Sequence, residues 1–407
     1  METITQIFQY LAQGTEIVFA VYFVVSCLYV LVFAAAGHFY KKRKQNTDNE
    51  LSKMVIFIPA YKEDAVIVGV AKKALIQQYP SSFFDVVVIA DSLQPTTLIE
   101  LQKLPIKIVE VSFENSTKAK ALNAAMHYMD DDYEYAIILD ADNIMEFHFL
   151  TKMNTAFQNG FRVVQGHRKA KNLNTPFAIL DAASEEINNH IYRRGHRALG
   201  LSSGLIGSGM GFEYRIFKAI MKKITAIGGF DKELEFELAK KNITIEYLQD
   251  TVVLDEKVQK SSDFSKQRRR WLATQFVYLK RYYRTGLRAL FTSGNINFFD
   301  KVFQMIVPPR ILLLGITVIT ALVYCLLDFG LNIKTYVSSF VWGVNLALLV
   351  VAFVLALPIP FYNTATLKAM ASMPSAFLRM FYLLFNLKGA NTKFIHTSHG
   401  EIKSQGK

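Results

Sequence analysis

Tyr135-Ala-Ile-Ile-Leu-Asp140-Ala-Asp142-Asn143 is the stretch around which the chain is organised. Its apolar run, Ala136 to Leu139, reads as a strand buried on both faces, and two carboxylates one residue apart follow where that strand leaves the core. In open α/β sheets ligands collect beyond the carboxyl ends of the strands. Asp140 and Asp142 are thereby placed to hold a hard cation and, through it, a diphosphate. Two aspartates in a solvated turn are common, so the stretch takes its meaning from the residues around it.

On both sides of it, residues 50 to 260 alternate strand-like and helical runs. The strand candidates are Met54 to Pro59, Val86 to Ala90, Ile106 to Val111, Ala136 to Leu139 and Arg162 to Gln165. Helical stretches fall near residues 64 to 78, 94 to 103, 117 to 129 and 146 to 158. Such alternation predicts one mostly parallel, doubly wound α/β sheet. About 200 residues are enough to bury a core of their own.

The ends of these elements carry the chemistry. Pro59-Ala-Tyr61-Lys62-Glu63-Asp64 brings an aromatic ring and acids to the ligand edge, or is a loop before a helix whose first turn favours acids. Asp91-Ser92 ends the second strand, where Asp91 can accept the N3 hydrogen of a uracil or simply cap a helix. Lys118 and Lys120 open a helix against its macrodipole, which an anion held nearby explains better than helix stability does. Gly207-Ser-Gly209-Met-Gly211 is spaced wrongly for a dinucleotide fingerprint, but its glycines permit close approach of backbone to a ligand. Asp231-Lys-Glu233-Leu234 begins a helix with Leu234 and Leu238 on one face. Asp231 is either its cap or a carboxylate able to deprotonate an attacking hydroxyl. His396 and His399 are three apart with no further ligands beside them, a poor metal site.

A hydrophobic content of 51% over 407 residues points to a membrane portion. Ile17 to Gly37 is 21 residues without a charge, followed by Lys41-Lys-Arg-Lys44, and reads as a retained anchor with the following chain in the cytosol. Two further spans are expected, Phe303 to Leu327 and Tyr336 to about Ile359, with Arg310 snorkelling near a span end. Lys368, Arg379, Lys388, Lys393, Lys403 and Lys407 place the tail in the cytosol as well. Residues 369 to 387 read as an interfacial helix. Cys27 and Cys325 fall inside spans, which excludes a disulfide framework or a cysteine metal site.

The net charge of +12 gathers next to the spans, which indicates anionic lipid headgroups rather than nucleic acid. Lys266 to Arg288 holds eight basic residues and no acid. With Leu272, Phe276, Leu279, Tyr283 and Leu287 forming one apolar stripe, it reads as a membrane-surface helix. Its opening, Gln267-Arg-Arg-Arg270-Trp271, can supply donors to a leaving diphosphate. The expected organisation is an anchor over 1–45, a catalytic domain over 46–260 and a basic amphipathic region over 261–300. Two spans over 301–360 and an interfacial helix with tail over 361–407 complete it.

Taken in order, Pro59-Ala-Tyr61, Asp91, Lys118 with Ala121-Leu-Asn123, Asp140-x-Asp142, Asp231 and Gln267-x-x-Arg270-Trp271 resemble the membrane-bound family 2 glycosyltransferases. Cellulose, chitin and hyaluronan synthases and ceramide glucosyltransferase belong to that family. The resemblance runs from about residue 54 to 271, and the two spans after it also fit. It implies a Rossmann-like GT-A fold, a UDP-sugar donor, and Mg²⁺ or Mn²⁺ at Asp142 with Asp140 near the diphosphate. Pro59, Tyr61, Glu63, Asp91 and Lys118 would bind the nucleotide, and Gly207 and Gly209 would face the acceptor. Asp231 would be the base, and Gln267, Arg270 and Trp271 would close over the diphosphate and acceptor.

Two departures stand out: Lys62 replaces a common asparagine, and Phe230 replaces an acid before the base, which leaves Glu233 as an alternative to Asp231. The expected reaction is an inverting, in-line transfer giving a β-linkage to a polysaccharide or lipid-linked acceptor. The competing expectation is an inactive UDP-sugar-binding subunit, and self-association or other membrane subunits stay open. Since each helix is only about 10 Å across, three spans enclose little of a 30 Å layer, and a product dependent on a membrane acceptor is expected from a lone copy.

Overall fold

Met54 to Ile58 is wholly buried, because both faces of this strand meet apolar helices. It opens an eight-stranded sheet in a computed structural model that describes residues 2–41, 50–257 and 261–387. The strands are β1 (Met54–Tyr61), β2 (Phe84–Asp91), β3 (Lys107–Val111), β4 (Tyr135–Ile138), β5 (Ile144–Met145), β6 (Val163–Ala170), β7 (Met210–Glu213) and β8 (Ile245–Asp255). Their spatial order is β3-β2-β1-β4-β7-β6-β8-β5.

The first four strands run parallel, as expected. The sheet as a whole is mixed, however, because β7 lies antiparallel between β4 and β6, and β5 antiparallel beside β8. β5, β7 and β8 escape a periodicity reading for local reasons. β5 has two residues, β7 contains Gly211, and β8 interleaves Glu246, Gln249 and Asp250 with its apolar positions. Helices cover both faces. Val55, Phe57, Val87 and Ile89 pack towards Lys118–Tyr128, Tyr214–Met221 and Phe230–Lys240, whereas Ile56, Ile58, Val86 and Val88 pack towards Ile67–Ala74, Pro95–Gln102 and Phe149–Gln158.

Among the described residues, three helices are long and apolar enough to cross a membrane: Gln6–Phe39, Arg310–Gly330 and Ser339–Ala356. The second starts seven residues later than expected. Val307 and Pro309 are extended, since proline lacks an N–H and restrains the residue before it, so Ile296–Ile306 becomes a separate amphipathic helix. Trp342, fully buried on the third helix, lies 5.6 Å from Phe19, 6.0 Å from Phe23 and 5.5 Å from Tyr324, which ties the three helices together.

The N-terminal helix also docks on the sheet domain. A Cβ at Gly195, in a turn of π-helix over Asn189–Gly195, would lie 2.1 Å from the Phe33 carbonyl oxygen, so only glycine permits this approach. Beside it, Tyr29 donates to Asp300 at 2.7 Å and meets His196 at 2.9 Å. The tail region forms two short helices, Thr364–Met370 and Met373–Leu384, rather than one. His396, His399, Lys42 to Lys44 and the basic residues from Lys388 onward lie outside the described residues.

The basic helix Ser261–Ser293 departs from its expected single stripe. Leu272 is buried with Leu312 and Met380, while Phe276, Tyr283 and Leu287 are exposed together with Val277 and Phe291. Tyr278 and Tyr282 pack on Phe236, Phe298 and Val302, so this helix carries an exposed apolar face and a second one sealed against the sheet domain.

Candidate active site

Tyr61 of β1 pairs with Asp91 of β2, so both strands deliver their last residues to the same edge. β4 pairs with β1 only as far as Phe57, which leaves Pro59 where no ladder bond on that side is lost. Asp91 is buried, accepts from Ser92 Oγ at 3.0 Å, and does not cap the following helix, whose N-cap is Gln94. Nor do the acids after Tyr61 lie in a helix's first turn, because the helix begins only at Ile67. Lys62 has φ 56°, the left-handed region where asparagine is tolerated best, which gives a physical reason for the asparagine it replaces.

Carboxylate oxygens of Asp140, Asp142 and Asp255 lie within 4.8 Å of one another. Asp255 ends β8, and Asn143 holds the group together by donating to Asp142 at 3.0 Å and to Asp255 at 3.1 Å. The Glu256 N–H donates to Asp142 at 3.1 Å. Around this cluster Lys118 pairs with Asp140, Arg168 lies 3.7 Å from Asp255, and Lys257 lies 2.8 Å from Asp255 and also pairs with Glu185. Burial, helped by the like charges of Asp142 and Asp140, raises the Asp255 carboxyl well above the usual carboxylate range against the pull of Arg168. Three converging hard oxygen donors fit Mg²⁺ or Mn²⁺. Leu254-Asp255 repeats the pattern of Leu139-Asp140, an apolar run ending in a carboxylate, and that signal was available to a sequence reading.

Gly229, at φ 69°, caps the helix Phe230–Lys240, so Asp231 belongs to the first turn and is not the cap. Burial is the largest influence on the Asp231 carboxyl and raises it, with Glu235 adding to the effect while Lys232 and Lys118 oppose it. Glu235 is itself held down to about 2. Burial alone would raise it, but Lys232 and Lys301 pair with it at 2.9 and 3.0 Å. Glu233, by contrast, is 1% exposed and pairs with Arg281 at 2.6 Å.

One cavity of about 1210 Å³ joins these parts. Pro59, Tyr61, Glu63, Asp91, Lys118, Asp140 and Asp142 line it, as do Asp255, Gly207, Asp231, Gln267, Arg270 and Trp271. Glu233 and Gly209 do not. Gly209, at φ 61°, turns towards Val253, where a Cβ would come within 2.6 Å, so its role is in packing the sheet. Gly207 faces Asp231, since a Cβ there would lie 3.7 Å from Asp231 Oδ2. Burial lowers the pKa of Arg270, and the charges of Asp231 and Asp140 act against that. The Gln267 Oε1 is buried without a hydrogen-bond partner among the described residues. Lys120 turns away to the Asn115 carbonyl at 2.8 Å.

A family model described as "Glycosyltransferase like family 2" matches residues 52–274. No curated protein matches the chain. Among solved structures, a mannosyltransferase from Pyrobaculum calidifontis, in complex with GDP-Man and Mn²⁺, is 14% identical, covering 82% of this chain and 96% of its own at a TM-score of 0.48. Glucosyl-3-phosphoglycerate synthase from Mycobacterium tuberculosis, with Mn²⁺, UDP and phosphoglyceric acid, is 13% identical, covering 58% of this chain and 83% of its own at a TM-score of 0.40. TarS from S. aureus is 18% identical, and the match spans 53% of this chain and 38% of its own at a TM-score of 0.35.

Proposed function

Because the chain belongs to glycosyltransferase-like family 2, which moves sugars from nucleotide-sugar donors, we propose an inverting transferase that uses a UDP-sugar and a polysaccharide or lipid-linked acceptor at the membrane. The observation that carries this reading is the single cavity holding Asp91, Lys118 and the three aspartates together with Asp231, Arg270 and Trp271. Asp91 would accept from the uracil, with Tyr61 beside it. An acceptor hydroxyl gives its proton to Asp231, its oxygen bonds to the anomeric carbon, and the bond to UDP breaks with the electron pair leaving on the diphosphate. An α-linked donor thus gives a β-linked product. Lys118 and Arg270 offset the charge that develops on the diphosphate. When bound at Asp142, Asp140 and Asp255, Mg²⁺ or Mn²⁺ would neutralise the same diphosphate. Asp231 is preferred to Glu233 because Glu233 is outside the cavity and engaged by Arg281.

Purified protein offered a panel of nucleotide sugars is expected to release UDP from one or more UDP-sugars. Donor binding without release from any of them would instead identify an inactive binding subunit. The pH profile of kcat tests the base separately. The active form is the carboxylate, and burial raises Asp231 above its ordinary value of 3.8, so rate should fall with decreasing pH from a correspondingly higher midpoint. Glu235→Gln removes a like charge and should move that midpoint down. An acid limb unmoved by this substitution would remove Asp231 from the role.

A further inference from the structure

The cavity does not stop at Trp271. It continues between Arg310–Cys325, Ser339–Ala356 and the two short helices after Asn363, along Leu314, Phe353, Leu357, Met370 and Met373. Val350, Val354 and Leu367 line it too, yet are 46%, 54% and 69% exposed, so this half opens sideways beside the end of a candidate membrane helix.

Two arginines stand where the polar and apolar halves meet. Arg310 Nη2 donates to Ser184 O at 2.7 Å and Ser184 Oγ at 2.8 Å, while its buried Nη1 has no hydrogen-bond partner among the described residues. Arg193, 5% exposed, donates to Gly204 O at 3.2 Å and Asn189 Oδ1 at 2.9 Å, both neutral. Of the acids whose charge reaches them, Asp181 is engaged by Arg268 and Glu235 by Lys232 and Lys301, while Asp231 acts on Arg193 without pairing with it. Among the described residues neither Arg193 nor Arg310 makes an ion pair. Buried guanidinium groups call for a counter-charge. Arg310 therefore does not snorkel outward, as its place near a span end suggested, but faces the cavity.

We propose that the acceptor is a saccharide carried on a lipid phosphate. The apolar chain lies in the sideways-open groove, the phosphate sits against Arg193 and Arg310, and the saccharide extends towards Asp231. This rests on the transferase reading and narrows its acceptor. A polysaccharide is the poorer occupant, because Leu314, Val350, Phe353, Val354 and Leu357 form an apolar wall that would leave hydroxyls unbonded, the polar groups being gathered near Tyr362 to Thr366. A hydrocarbon chain loses nothing there, and a phosphate matches forked guanidinium donors.

The full chain, reconstituted in phosphatidylcholine nanodiscs, would be irradiated with hexadecyl phosphate bearing a mid-chain diazirine. Labelling is expected on the segments containing Phe353, Leu357, Met370 and Met373, displaced by unlabelled hexadecyl phosphate and not by hexadecanol. Arg310→Gln should weaken that labelling by about tenfold to a hundredfold, and Arg310→Lys should recover most of it. Labelling spread over the outer faces of the membrane helices, equal competition by hexadecanol, or protection of the groove by a water-soluble oligosaccharide would each overturn the proposal. Labelling is read without turnover, so a protein that releases no UDP would contradict the transferase reading and leave this result standing by itself.

Discussion

Asp142→Asn is expected to abolish turnover, a loss on the order of a thousandfold or more, while the protein still folds. Asp142 is 3% exposed and stands between Asn143 and the Glu256 N–H, bonds that an amide oxygen can still accept. What the substitution removes is one negative charge from a cluster whose oxygens converge within 4.8 Å. A divalent ion would then be held less firmly, and the leaving diphosphate would keep more of its charge in the transition state. Asp255→Asn should fall short of this, by about tenfold to a hundredfold, because Arg168 and Lys257 already share that carboxylate. Rates with titrated Mg²⁺ and Mn²⁺, set beside thermal unfolding of each variant, are the measurement. Full activity of Asp142→Asn, or wild-type rates in excess chelator, would end the metal assignment.

The second large effect is expected at Asp231. Asp231→Asn should cost about a hundredfold to ten-thousandfold in kcat, the usual range for a lost general base, with donor affinity kept. Glu233→Gln separates the base from its neighbour. It lies on the same helix but pairs with Arg281 at 2.6 Å, so its loss should lower thermal stability and leave most of the rate. Titration of UDP-sugar binding to the Asp231→Asn protein completes the comparison. A dead Glu233→Gln beside an active Asp231→Asn would reverse the assignment.

That Tyr61, Asp91 and Asp140 meet at one edge of the cavity was legible because it is local. An apolar strand followed at once by Tyr61, Asp91 or Asp140 needs only the rule that a strand's last residues meet the ligand edge, and the parallel register of β1, β2 and β4 places all three together. Gly209 was misjudged for the opposite reason. Its conformation suits a ligand-facing turn, but whether a glycine approaches ligand or protein depends on what stands opposite, here Val253 on another strand. Arg310 follows the same logic, since a span end tells its depth and not its direction.

The sequence by itself determined the alternating α/β order, the first four strands, the ordered series of motifs and the existence of three long apolar helices, because each depends on short-range periodicity or on length. Tertiary structure alone decided which carboxylates lie together. Asp255 joins Asp142 across more than a hundred residues through Asn143, a contact that no local pattern encodes. Asp231 and Glu233 are two apart on one helix, hence roughly 200° apart around its axis, so they cannot face the same way. Asp231 lines the cavity, while Glu233 turns away from it and pairs with Arg281 on a helix remote in sequence.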